Sequence, residues 1–284
     1  MSSASSFENS GLSSASAGVC TLSLEQAIEY LRGSDLSLRV YAAWWLGRFR
    51  IDDIRAVAAL SEALADEDDR TVAGGYPLRR SAARALGKLG NQSAVSALMS
   101  SLGCSDFHVR EAAAQSLGIL GAQESIAKLT ELLKNEVAGT EASLEEPELI
   151  QPYDAVLEAL GALGASAAVP VIETFLQHPV ERVQYAAARA LYQLSETASA
   201  ARQYGDFLIQ ALSHQKLQLR RAALADLGAI GYLPAAGAIA SALAENSLKL
   251  IALKGLLEKQ LEQSEGDFLC EESVKVMQMM DALL

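Results

Sequence analysis

Apolar residues return every three or four positions in a series of short segments: "RAVAALSEAL", "SAVSALMSSL", "SIAKLTELL", "AVPVIETFL" and "PAAGAIASAL". This spacing marks helices with one buried face. A second series alternates with the first and centres on a Leu-Gly pair or a variant of it. It includes "LRVYAAWWLGRF" (Leu46-Gly47), "LRRSAARALGKL" (Leu86-Gly87), "VREAAAQSLGIL" (Leu117-Gly118) and "YDAVLEALGAL" (Leu160-Gly161). It continues with "VQYAAARALYQL" (Leu191-Tyr192), "LRRAALADLGAI" (Leu227-Gly228) and "LKLIALKGLLEK" (Leu256-Leu257). These pairs stand 40, 31, 43, 31, 36 and 29 residues apart. The unit is therefore about thirty residues long, stretched mainly at two places, and a period of that size marks a repeat array.

Each unit reads as two helices, A followed by B. Glycine closes one unit and a small polar residue or proline opens the next, as in "GNQS", "GAQES", "GASAA" and "GYLPAA". Pro170 and Pro234 fit the first turn of an A helix, and Pro77 and Pro179 the first turn of a B helix. Helix pairs of this kind bury their apolar faces only against their neighbours. The pattern predicts an all-α, right-handed superhelical solenoid of HEAT-like helix pairs over residues 21–284. A serine-rich tail at 1–20, expected to be disordered, precedes it. Asp35 to Arg39 and Asp106 to Arg110 share a four-residue spacing at the start of B helices. The expected role is structural: the aspartate caps the helix and meets the arginine one turn on.

At 100° per residue, Ala42, Ala43, Leu46 and Phe49 share one side of the first B helix, and Val40, Tyr41, Trp44 and Arg48 lie opposite. B helices of such solenoids line the concave, binding surface. Aligned on Val40, the chain has Arg80, Glu111, Asp154, Tyr185, Arg221 and Leu250. Aligned on Trp44, it has Arg84, Gln115, Glu158, Arg189, Ala225 and Lys254. Tyr41, Trp44 and Trp45 form an aromatic cluster that holds both tryptophans of the chain. Such a face suits a flat conjugated ligand with carboxylates, which arginines clamp and aromatic rings stack upon. It suits a protein partner equally well. The two insertions feed into this face. "DEDDRTVAGGYPLRR" brings Tyr76 to the start of a B helix, where it could fold over a ligand. The acidic insertion at 135–152, within "KNEVAGTEASLEEPELIQPYD" and read as mobile, leads into Tyr153.

Composition narrows the function. The net charge of −12 repels phosphate backbones, so nucleic acid is not an expected partner. Three scattered cysteines, Cys20, Cys104 and Cys270, argue for a reducing compartment, and a cytoplasmic location is expected. No apolar run spans a membrane, the N-terminus lacks the features of a secretory signal, and no Cys/His spacing offers a zinc site. No GxSxG, Walker or dinucleotide motif appears.

"YAAWWLGRFR", "GGYPLRRSAARALGKLG" and "HPVERVQYAAARALYQL" resemble the E subunits of the heterodimeric E/F-type phycobilin lyases of cyanobacteria, which are built of HEAT-like repeats. The likeness runs from about Leu22 to the C-terminus, and the length and both insertions match members acting on α-phycocyanin. The resemblance implies a partner, a paralogous HEAT-repeat F subunit. It implies a reaction, thioether attachment of phycocyanobilin to a cysteine of apo-α-phycocyanin, and possibly its removal. The bilin is then a substrate and no cofactor or metal is expected. Under this resemblance Tyr41, Trp44, Trp45, Tyr76, Arg80, Arg84, Tyr153, Tyr185 and Arg189 are expected to bind the bilin. Asp154 or Glu158 is expected to bond to its pyrrole N–H groups or protonate it. Cys104 is either a filler or a transient bilin acceptor. The alternatives are a non-enzymatic scaffold or chaperone for phycobiliprotein, or a relative that attaches or isomerises another bilin. His108, His178 and His214 are each followed by a residue other than glutamate, which excludes the His-Glu iron chemistry of another HEAT-repeat class.

Overall fold

The computed structural model describes residues 22–134, 151–263 and 270–284. The tail expected at 1–20 and nearly all of the 135–152 insertion lie outside them. The described residues form seven A/B helix pairs and one closing helix. The pairs are α1 (Leu24–Arg32) with α2 (Leu36–Arg48), α3 (Ile54–Ala63) with α4 (Pro77–Leu89), and α5 (Val95–Ser101) with α6 (Phe107–Leu120). They continue as α7 (Ile126–Lys134) with α8 (Tyr153–Ala162), α9 (Val169–Thr174) with α10 (Glu181–Leu194), α11 (Ala198–Ala211) with α12 (Leu217–Ile230), and α13 (Ala236–Ser241) with α14 (Asn246–Gln263). Helix α15 (Glu271–Asp281) closes the array. Each B helix lies against the one before and the one after, so the B helices form a continuous layer backed by the A helices.

The Leu-Gly pair explains this stacking. Its leucines, such as Leu46, Leu86 and Leu117, are fully buried in the core. The glycine beside each lets the next B helix close in. A Cβ at Gly47 would lie 2.7 Å from the Ala85 Cα, and one at Gly118 would lie 3.0 Å from the Ala159 Cα. The fifth unit breaks the rule with Tyr192, whose ring meets Tyr232 edge-on at 5.5 Å. The apolar core divides at this point. One cluster runs from Ala27 to Leu194, and a second runs from Tyr185 to Val276. Closing glycines Gly90, Gly121, Gly164 and Gly231 adopt the left-handed conformation expected of helix ends. Pro179 falls just outside α10, before its N-cap Val180.

The mostly basic position that recurs at the start of the B helices has a different role from the one expected. Asp35 caps α2 through the Ser37 and Leu38 amides, and Asp106 caps α6 through His108 N–H. Their arginines turn away from them. Arg39 donates to the Leu31 carbonyl, Arg79 to Asp66, Arg110 to Cys104 and Ser105, and Arg220 to His214, Gln215 and Leu243. Gln184 and Lys249 do the same at His178 and Ala240. The column thus satisfies backbone carbonyls left over where the chain leaves an A helix or a neighbouring turn.

Candidate functional site

The aligned columns do converge on one face. At its N-terminal end Tyr41 and Trp44 stack at 5.8 Å with about half of each side chain exposed. Tyrosine and tryptophan with a polar handle and an open ring face are enriched where proteins meet ligands or partners. Next along, Arg84 lies 3.7 Å from Glu111 with half its side chain open, while the half-buried side chain of Arg80 makes no hydrogen bond or ion pair with the described residues. In the middle, Gln115, Ile119, Ala155, Glu158, Ala162 and Arg189 line a groove of 310 Å³. Toward the C-terminus Arg221 and Ala225 border a larger groove of 780 Å³ between α12 and α14. Both volumes suit small-molecule clefts.

Charge is concentrated at the middle groove. The Glu158 carboxylate pairs with Arg182 and lies 3.2 Å from Arg189. The same two arginines hold Asp226, at 2.7 Å and 3.1 Å. Asp154 lies 3.8 Å from Arg182. Asp226 is 1% exposed, whereas Glu158 opens on the groove. Burial pushes the Glu158 carboxyl above its ordinary range. The nearby Arg189 and Arg182 oppose that shift, and the Asp226 and Asp154 carboxylates reinforce it.

Four expected ligand contacts are placed elsewhere. Tyr76 is 5% exposed and does not lie free over a groove. Its amide donates to Asp106 at 2.7 Å, its hydroxyl to Glu67 at 2.9 Å, and the Arg79 guanidinium covers its ring at 4.1 Å. Tyr153 occupies the carbonyl-binding column and is buried against Phe175 and His178. Tyr185 is buried in the second core, edge-on to Phe207 of α11. Trp45 is partly buried against the core and Phe49. Cys104 sits in a separate groove with residues of α3 and α5, its Sγ 3.8 Å from Arg79. Among the described residues no group of three or more carboxylate, histidine or cysteine side chains could hold a metal ion, and no helix is long and apolar enough to cross a membrane.

The sequence reading missed Arg182 and Asp226. Asp226 had a signal: its column otherwise holds Trp45, Ala85, Ser116, Ala159, Ala190 and Gly255. A carboxylate among small residues at a helix–helix contact needs a buried partner. Arg182 had none, since it lies in a first turn where charged residues are ordinary.

Three family models match parts of the chain: HEAT repeats over 76–146, HEAT repeat over 168–198, and PBS lyase HEAT-like repeat over 38–66 and 153–178. The phycocyanobilin lyase subunit alpha of Microchaete diplosiphon is 64% identical over 93% of this chain and 90% of its own length. That of Pseudanabaena tenuis is 62% identical over 93% and 96%. The solved complex of CpcE and CpcF of phycocyanin lyase from Nostoc sp. PCC7120 contains a chain that is 53% identical, covered in full on both sides, with a TM-score of 0.82. With identities this high over nine-tenths of its length, the chain belongs to the phycocyanobilin lyase alpha-subunit family of HEAT-like repeat proteins.

Proposed function

We propose that the chain binds phycocyanobilin on the inner face of its B helices. With a paralogous F-type subunit in the cytoplasm, it then joins the bilin to a cysteine of apo-α-phycocyanin through a thioether. The lyase chemistry comes with family membership. The observation that carries the placement of the bilin is that this face runs in order from an exposed aromatic pair, past an unpaired arginine, to a groove edged by a carboxyl and a guanidinium. Trp44 and Tyr41 stack on a pyrrole ring. Arg80 and Arg84 take the propionates, since neither is held by a short ion pair. Glu158 faces the pyrrole nitrogens, with Asp154 behind it. The bilin is substrate, and no separate cofactor enters.

An addition reaction needs no redox partner. One carbon–sulfur bond forms, one carbon–carbon double bond of the bilin is consumed, and one proton reaches the tetrapyrrole while the thiol gives one up. The chain's part is to hold the bilin in a single orientation toward the incoming thiolate and to supply that proton. Titrating phycocyanobilin into the chain and following its visible absorbance and induced circular dichroism tests the placement. Arg80→Ala and Trp44→Ala are each expected to weaken binding about tenfold. Wild-type affinity in both variants overturns the inner-face site.

A further inference from the structure

The charges at the middle groove form a closed ring. Arg182 donates from one terminal nitrogen to Glu158 Oε1 and from the other to Asp226 Oδ2. Arg189 meets Glu158 Oε2 and Asp226 Oδ1 with a single nitrogen. Each carboxylate therefore gives one oxygen to each arginine. The ring links α8, α10 and α12, across the place where Tyr192 replaces glycine and the apolar core divides. One corner, Asp226, is sealed at 1% exposure, and the opposite corner, Glu158, edges the groove. With Asp154 beside Arg182, three carboxylates share two guanidiniums. One negative charge is in excess, and burial makes that excess expensive to keep.

We infer that Asp226 and Arg182 are positioning residues for bilin attachment, holding Glu158 on the groove edge and setting how firmly its carboxyl keeps a proton for the tetrapyrrole. This rests on the reading of Glu158 as the acid. The proton that Glu158 gives to the bilin is replaced, through solvent, by the one lost from the acceptor thiol, so no other reactant is needed. The charged groups that govern Glu158 are Asp154 on its own helix, Arg182 and Arg189 on α10, and Asp226 on α12. Helix α6 presents uncharged Gln115 to the groove, and its Glu111 is engaged by Arg84 and His108.

The test is the pH dependence of attachment by the reconstituted two-subunit enzyme, with kcat and KM for bilin separated. Asp226→Asn removes a negative charge from the ring, so Glu158 loses its proton more readily. The alkaline limb of kcat is expected to move down by about one pH unit with KM unchanged. In Arg182→Lys the ammonium cannot bridge both carboxylates. Glu158 then keeps its proton longer, and the limb is expected to move up. A purely structural role lowers the active fraction but leaves the limb in place, so a folded Asp226→Asn with an unmoved limb overturns the inference. If circular dichroism shows that Asp226→Asn does not fold, Arg182→Lys decides: a limb that stays or moves down overturns it. Glu158→Gln keeping both rate and limb would instead overturn the reading of Glu158 as the acid.

Discussion

Arg79 and Arg80 are neighbours in sequence, yet the structure gives them separate duties. Arg79 donates to the Asp66 carbonyl at 2.5 Å and, at the longer distance of 3.4 Å, to the Ala65 carbonyl. Its guanidinium also lies 4.1 Å from the centre of the buried Tyr76 ring. The short charged hydrogen bond contributes about 1.5 kcal/mol, and the shielded cation–π contact about 1 kcal/mol. The ion pair to Glu67 adds little, because Glu67 is 70% exposed. Arg79→Ala is therefore expected to cost about 2–3 kcal/mol of folding stability. Arg80→Ala removes no side-chain hydrogen bond or ion pair with the described residues and is expected to change stability by less than about 0.5 kcal/mol, while lowering bilin affinity. Urea unfolding followed by circular dichroism, run beside bilin titration, separates the two effects. Equal stability losses, or a larger loss at Arg80, would refute the division of labour.

Gly228→Ala would place a Cβ 2.9 Å from the Ala252 Cα and 3.1 Å from its carbonyl oxygen; because backbone cannot yield locally, a loss of about 1–3 kcal/mol is expected in the same unfolding assay. The Tyr232 phenol is pushed up to about 12 by burial and by its hydrogen bond to Asp206. Its contribution to stability is fully present below its ordinary value of 10.0 and is lost as pH rises through about 12. Alkaline absorbance titration of Tyr232→Phe should lack that last tyrosine step. Glu245 is held down to about 2, first by its hydrogen bond with Arg221. Its contribution is present above its ordinary value of 4.5 and is lost as pH falls toward 2. Arg221→Met should therefore show a smaller drop in melting temperature between pH 5 and pH 3 than the wild-type chain.

The helix pairs were legible because each unit repeats the same physical needs: a buried leucine, a glycine where backbones touch, and a glycine that ends the helix. The spacing of 100° per residue did place residues along one side of the B helices: Trp44 and Arg84 stand half exposed, and the mostly buried Glu158 and Arg189 edge the middle groove. It failed where a residue stood in another column's role. Tyr153 sits where other units place the carbonyl-binding Arg39 or Arg110, so it turns into the core. Tyr185 faces α11, whose Phe207 reaches it. Tyr76 looked like a lid because glycines precede it. Its partners Asp106 and Glu67 come from the next unit and from the loop itself, and no local pattern announces them. The ring around Asp226 joins residues up to 68 positions apart, from Glu158 to Asp226, and short-range spacing carries no trace of such contacts.

The central claim is that the inner face of this chain holds the bilin for transfer. Its most direct test combines the chain, its F-type partner, apo-α-phycocyanin and phycocyanobilin, with covalent product read by zinc-enhanced fluorescence on a denaturing gel. The expected result is a red-absorbing thioether adduct that requires both lyase chains and forms more slowly with Arg80→Ala or Trp44→Ala at limiting bilin, but at the full rate with Tyr185→Phe. Adduct formation at the full rate in the Arg80 and Trp44 variants, or without this chain, would contradict it.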